Sequence, residues 1–379
     1  MERRLTAEGA LRAAPPHGLL DSLRTILAQR FATADVDLLL VDLDLEKLRS
    51  VSRPARTGGD RIVLSSLPGT VFTTQQPYLS GGEGPTVTAY VPVTARDDRW
   101  GVLVVELPPR HSGPEVLEEL THLARALGHA LAVAQRQTDV YRAVRRDRPL
   151  TLAAEMESHL MSARACTRDE FDLHAYWPAS YSSAGHLFDW SVSATELTMT
   201  VANGTGSGVE HALVNTLALG SLRNARRAGA DLAGQASLVD QALYAQYRGA
   251  YAVPALLTSF DLATGGVRAV DAGSPTVWRL RGGEARRLSL DEQLPLGMFE
   301  GTVYQPERFA LRAGDRLIVI AHGGGHTVAV PDGRAIGRAI VDTRRLPCSQ
   351  APEAVLGTLA GDDVTFWASG LVACVDWRG

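Results

Sequence analysis

"TVANGTGSGVEHAL", residues 200–213, is the stretch on which the reading of this chain turns. An apolar, β-rich run leads into it. Three alternating glycines, Gly204, Gly206 and Gly208, form a loop, and a helix-like run follows. A loop between a strand and a helix can cradle a phosphate on its backbone N–H groups, or shape a metal site. The dinucleotide fingerprint needs G-x-G-x-x-G after a parallel strand, with an acidic residue about 20 positions on at the end of the next strand. Here the spacing is G-x-G-x-G, and two helical segments follow instead of a returning strand. No G-x-x-x-x-G-K-[ST] occurs, and Lys47 is the single lysine of the chain. The loop is therefore not read as a nucleotide cradle, and a metal site is the competing reading.

The chain has 379 residues, 45% of them hydrophobic, enough for two domains with cores of their own. A formal net charge of -4 gives no electrostatic case for nucleic acid. Cys166, Cys348 and Cys374 are scattered and lack C-x-x-C spacing, so they read as buried thiols in a reducing compartment. The first residues, "MERRLTAEGALRAAPPHG", lack the apolar core of a signal peptide, and no apolar run is long enough to cross a bilayer. The expectation is a soluble, cytoplasmic protein with no membrane partner.

A leader over 1–16 precedes "GLLDSLRTILAQRFAT", whose apolar residues fall at helical spacing. "DVDLLLVDLDLEKLRSVS" predicts strand, turn and strand, and "TVTAYVPVTARDDRWGVLVVEL" a hairpin turning at Arg96 to Arg99. A long helix follows from "GPEVLEELTHLARALGH" onward, with Leu117, Leu120, Leu123 and Leu127 on one stripe. His129 on that helix reads as a packing residue, and neither it nor His111 and His122 has metal or haem spacing. Together these elements predict a small α+β sensory-type domain over 17–140. A helical linker, 141–168, is interrupted at Pro149 and carries Arg142, Arg145, Arg146 and Arg148, read as a solvated face. Such a connector suits dimer contacts, and a homodimer is expected.

From about Phe171 the pattern changes. "ELTMTVAN" predicts a strand, and "GVEHALVNTLALGSLRNARRAG" and "LAGQASLVDQALYAQYRG" two helices. Then come "PALLTSFDLATGGVRAVDAG", "TVWRLRGGEARRLSL", "TVYQPERFAL" and "DRLIVIAHG", short strands joined by "ATGG" and "RGGE" turns. Such connections imply antiparallel sheet. A helix near "APEAVLGTLAG" and a final strand, "DDVTFWASGLVACVDW", close the chain.

Several of these phrases, in order, resemble the SpoIIE/RsbU branch of the PPM (PP2C-like) serine/threonine phosphatases. "AAEMESHLM" resembles the helix entering that catalytic domain, and "AGHLFDW" stands where the family has G-G-D-[FY]-x-D. "VANGTGSGVEHAL" resembles G-D-x-S-G-H-G-x-x-A-A, and "LLTSFDLATGGVRAVDAGSPTVWRL" a strand pair ending in A-G-H-P-P. "LRAGDRLIVIAHGG" resembles L-x-P-G-D-x-L-x-L-[YF]-T-D-G, and "GDDVTF" the closing D-D-x-T. The resemblance covers Leu150 to the C-terminus and implies an α/β/β/α sandwich of antiparallel sheets over 169–379. The N-terminal domain resembles the GAF domains found ahead of such units, which implies a small-molecule ligand there.

The family holds two Mn²⁺ or Mg²⁺ ions on carboxylates, and a water between them attacks the phosphoserine or phosphothreonine. Carried over position by position, His186 replaces the aspartate of G-D-F, Asn203 the bridging aspartate of the glycine loop beside Gly204, and His322 that of T-D-G. Asp189, Asp362 and Asp363 keep their carboxylates, while Ser207, Ser274 and Pro254 stand for two histidines and a threonine. The expectation is a pseudophosphatase, with no catalytic residue assigned and no cofactor. It would act through protein partners such as an anti-sigma antagonist (STAS) protein or an anti-sigma kinase. Two alternatives stay open. One is an active phosphatase using Mn²⁺, Mg²⁺ or a transition metal on His186, Asp189, His322 and Asp362, with His326 near it. The other is a small-molecule sensor centred on the GAF-like domain.

Overall fold

A computed structural model describes residues 2–33, 35–52, 62–63, 65–81, 86–178, 185–203, 206, 208–273, 275–322, 332–361 and 370–379. The chain divides into two compact units, Met1–Pro149 and Leu150–Gly379. The division falls inside the stretch expected to be a linker.

The first unit runs α1 (Glu2–Ala13), α2 (Leu19–Phe31), β1 (Val36–Val41), β2 (Lys47–Ser50), β3 (Ile62–Val63), α3 (Leu67–Thr74), β4 (Tyr78–Gly81), β5 (Val87–Ala95), β6 (Asp98–Leu107), α4 (Pro114–Ala134) and α5 (Val140–Val144). Its strands form one antiparallel sheet in the order β3-β2-β1-β6-β5-β4. Alternation along β1 feeds two cores. Leu38 and Leu40 pack with Leu23 and Leu27 of α2 and the α4 leucines. Leu39 and Val41 pack with Val71 and Phe72 of α3.

Residues expected to be a leader instead form α1, whose Ala7 and Leu11 lie in the main core. The expected long helix ends at Ala134. The α4 stripe is Leu120, Leu123, Leu127 and Leu131, and His129 falls off it and is exposed, so it is not a packing residue. Arg145 departs from the solvated face: its Nε donates to the Val41 carbonyl (2.9 Å) and its guanidinium lies over the Trp100 ring. Burial lowers the Arg145 pKa from its ordinary value, with Asp98 and Asp42 opposing that shift.

The second unit begins with α6 (Leu152–Leu160) and continues β7 (Ala165–Thr167), β8 (Phe171–Tyr176), β9 (His186–Val192), β10 (Glu196–Asn203), α7 (Val209–Arg227), α8 (Leu232–Tyr247), β11 (Ala255–Asp261), β12 (Gly266–Ala272), β13 (Thr276–Arg281), β14 (Glu284–Arg287), β15 (Glu307–Ala310), β16 (Arg316–His322), α9 (Gly333–Asp342), α10 (Ala351–Ala360) and β17 (Gly370–Trp377). Two antiparallel sheets result, β15-β12-β11-β10-β9 and β14-β13-β16-β17-β8-β7. Leu197, Met199 and Val201 of β10 meet Val319 and Ala321 of β16 and Ala373 and Val375 of β17 in the core between the sheets. The opposite face of the five-stranded sheet, with Leu187, Ala202, Leu257 and Val270, packs on Val214, Leu222, Val239 and Leu243 of α7 and α8. On the other sheet α9 and α10 supply the outer layer, with Gly333 and Gly337 against the Trp278 ring. The fold class is thus α+β, a helix-flanked sandwich of antiparallel sheets.

The "TVYQPERFAL" strand shrinks to Glu307–Ala310, because Pro306 lacks an N–H and Tyr304 turns inward to donate its hydroxyl to Asp240 (3.1 Å). The sequence reading missed α9, although its signals are present. The Asp332 side chain caps it by accepting from the Ala335 N–H (2.7 Å), and Ile336, Ala339 and Ile340 form a buried stripe.

Helix α4 crosses the hairpin at Gly128, where an added Cβ would lie 2.0 Å from the Thr94 carbonyl oxygen. Gly9 in α1 has nothing within 4 Å of that position. Gly128→Ala is therefore expected to destabilise the first unit by about 1–3 kcal/mol through overpacking. Gly9→Ala is expected to gain about 0.5–1 kcal/mol from helix propensity. Shifts of the urea midpoint in opposite directions check the pair.

Candidate functional site

Strands β9 and β10 pair without a slip. Asn203 lies opposite His186, Ala202 opposite Leu187, and Thr200 opposite Asp189. Because the side-chain period is two, His186 and Asn203 share the face of Phe188 and Val201, toward the core between the sheets. They are 5% and 6% exposed, so both polar groups are buried. Asn203 extends the ladder beyond the strand by donating its backbone N–H to the Pro254 carbonyl (2.8 Å).

Two of the positions singled out in the sequence are thus brought side by side. His322 ends β16 opposite Gly370, on a strand whose Val319 and Ala321 share a core with Val201. Gly204, Ser207, Ser274, His326, Asp362 and Asp363 lie outside the described residues.

Asp189 does not join the pair. It stands three residues from His186, so the pleat points it to the opposite, helix-facing side, where it is 1% exposed. There its Oδ1 accepts from Arg223 Nη2 (2.8 Å), Arg223 Nε (3.0 Å) and Ser162 Oγ (2.6 Å), and its Oδ2 accepts from Arg226 Nη1 (2.8 Å). Arg223 Nη2 also donates to the Leu160 carbonyl (2.6 Å). Asp189 was expected at the metal site; here its oxygens accept from two arginines on α7. The same cluster fastens the end of α6 to α7. Buried Glu157 adds a second tie, accepting from Asn215 Nδ2 (3.0 Å).

At the rim of the glycine loop, α7 contributes a group that the sequence reading passed over. A Cβ on Gly206, whose φ is +97°, would fall 2.2 Å from His211 Nε2, so the imidazole lies directly on the loop backbone. His211 meets Tyr251 edge-on with ring centroids 5.3 Å apart, and Tyr251 meets Tyr247 at 5.2 Å. The hydrogen bond to the Glu210 carboxylate, then burial, raises the Tyr251 phenol above its ordinary pKa. The available signal was the "EH" pair at the start of the helix that follows the loop.

The donor set decides what the paired positions can hold. Two adjacent hard dications need anionic oxygen between them, and a bridging carboxylate supplies charge and one oxygen to each ion. Asn203 offers a single neutral oxygen, and His186 offers nitrogen, which suits later transition metals better than Mg²⁺. The described residues at this site do not fit a pair of Mn²⁺ or Mg²⁺ ions.

A family model, Stage II sporulation protein E (SpoIIE), matches residues 193–339, from the turn before β10 into α9. The match covers under half of the chain and lies wholly within the second unit. The sandwich around it is the PP2C-like architecture that the sequence resemblance implies. No curated protein matches the chain.

Among solved structures, the chain is similar to the RsbU and RsbW domains of Rv1364c from Mycobacterium tuberculosis, at 20% identity and a TM-score of 0.49. That match covers 55% of this chain and 60% of the other, so the chain spans under two thirds of that relative. The PP2C phosphatase domain and regulatory fragment of SpoIIE from Bacillus subtilis match at 10% identity and a TM-score of 0.47, covering 100% of this chain and 94% of that one. The SiaA-PP2C domain of Pseudomonas aeruginosa matches at 20% identity and 0.45, covering 55% and 84%. Among the described residues, no helix is long and apolar enough to cross a membrane.

If Asp189 is structural, Asp189→Asn leaves two guanidinium groups without their buried anion and is expected to cost about 3 kcal/mol. Chemical denaturation reads the loss, and metal content measured beside it should stay that of the parent protein. Unchanged stability with altered metal content would return Asp189 to the metal site.

Proposed function

We propose that this chain is a pseudophosphatase, a SpoIIE-type domain that regulates by binding a protein partner without hydrolysing phosphate. The observation that carries the reading is the pair His186 and Asn203, standing together where the family resemblance implies two metal-holding aspartates. Without the anionic bridge, two dications repel one another and the nucleophilic water loses its activation. Buried Asp189, turned to Arg223 and Arg226, supplies no replacement charge on that face. The shaping parts of the loop survive, namely Gly206 and Gly208 with left-handed φ values.

In this reading the partner is a phosphorylated anti-sigma antagonist of the STAS type, or its kinase, in bacterial partner-switching signalling. The first unit serves as a GAF-like sensor for a small molecule, a role supported by its antiparallel sheet with helical layers on both faces. A homodimer is the proposed assembly and the cytoplasm the proposed location.

Phosphate release from a phosphoserine protein, measured with Mn²⁺, Mg²⁺ and Zn²⁺ in turn, tests the reading. The expected result is no metal-dependent turnover by the parent chain. Replacing His186, Asn203 and His322 together by aspartate is expected to raise binding of Mn²⁺, measured calorimetrically. Robust turnover by the parent chain, lost in Asp362→Asn, would instead make it an active phosphatase with a rebuilt metal site.

A further inference from the structure

Among the described residues outside the loop region, one cluster of reactive side chains has no part in the proposed function. Cys348 lies between α9 and α10, and Cys374 on β17 faces it with Sγ atoms 3.4 Å apart. Both are free and buried, at 4% and 0% exposure. Cys348 Sγ also lies 3.3 Å from the Asp172 carbonyl oxygen. Cys374 Sγ lies 3.8 Å from Asp376 Oδ1.

Two thiols and a carboxylate this close invite a metal reading, and the fourth neighbour argues against it. Arg316 Nε donates to Asp376 Oδ1 (2.6 Å) and Arg316 Nη2 to Asp376 Oδ2 (2.7 Å), a fork that occupies the carboxylate. The same guanidinium donates to the Thr343 and Leu346 carbonyls (2.6 and 2.8 Å), so it is fixed in place. Burial works against its charge, and the fork to Asp376 outweighs that, raising its pKa above the ordinary value. What remains for a ligand is two sulfurs, fewer donors than a structural zinc takes.

We propose that Cys348 and Cys374 are a redox-active dithiol that closes to a disulfide under a peroxide oxidant, stapling the turn before α10 to β17. The sulfurs are already in van der Waals contact, and the bond forms by their further approach. Cys348, the more exposed of the two, attacks the O–O bond and becomes a sulfenic acid as one water leaves. The Cys374 sulfur then displaces the second water, so two thiols and one hydrogen peroxide give one disulfide and two waters. Burial, before the neighbouring Cys348 and Asp376, pushes the Cys374 thiol pKa up, so the first attack on peroxide is assigned to Cys348. The staple encloses α10 and residues 362–369, the stretch that contains Asp362 and Asp363.

The test uses the full chain, reduced, treated with hydrogen peroxide, then unfolded and alkylated with a maleimide. Intact mass is expected to show free thiols falling from three to one, with restoration by dithiothreitol. Peptide mapping is expected to find the Cys348–Cys374 link. Cys348→Ser is expected to keep both remaining thiols under the same treatment. Cys166→Ser retains the dithiol whether or not the first variant folds, and its thiols should fall from two to none. Three thiols surviving in the parent chain, a loss confined to Cys166, or sulfinic acid without a cross-link would each overturn the proposal.

Discussion

The period of two along β9 and β10 is the constraint on which the second unit depends. One face of this strand pair builds the core between the sheets, and the other builds the core beneath α7 and α8. A slip by one residue would exchange every side chain between those environments, so burial on both sides fixes the register. The same rule distributes the chemistry. It puts His186 beside Asn203 on the inner face and sends Asp189 outward to its arginines. The pairing of His186 with Asn203 and the ion pair of Asp189 follow from one pattern of alternation.

That ion pair also organises the helices. Asp189 sits on the sheet, Arg223 and Arg226 on α7, and Leu160 and Ser162 at the end of α6, so one carboxylate ties three elements. At the second sheet, Arg281 on Asp315 and Arg316 on Asp376 make two-pronged forks. In each, a planar guanidinium meets both oxygens of a carboxylate, a geometry that an ammonium group does not match.

Much of the architecture was legible in the sequence, because strands buried on defined faces advertise themselves. "ELTMTVAN" alternates in phase with its two cores, and the hairpin of β5 and β6 follows from two β-rich runs around a polar turn. Other features depended on partners distant in sequence. Arg145 reads as one of a cluster of surface arginines until Trp100 and the Val41 carbonyl fold against it. Tyr304 breaks the expected strand because Asp240, far back on α8, accepts its hydroxyl. Motif matching put His186 and Asp189 in one site, whereas a separation of three on a strand puts them on opposite faces.

The reliance on arginine forks has a consequence for the chemistry of the surface. With every guanidinium lacking a nucleophilic amine, Lys47 at the start of β2 is the one side-chain amine in the sequence. It lies within 4.0 Å of the Asp147 carboxylate, in the first unit. Acylation, ubiquitin-type conjugation and amine-directed cross-linking of side chains therefore have a single address, and none falls within the sandwich. A fluorophore or tether carried by an amine-reactive ester would mark the first unit and leave the second chemically silent.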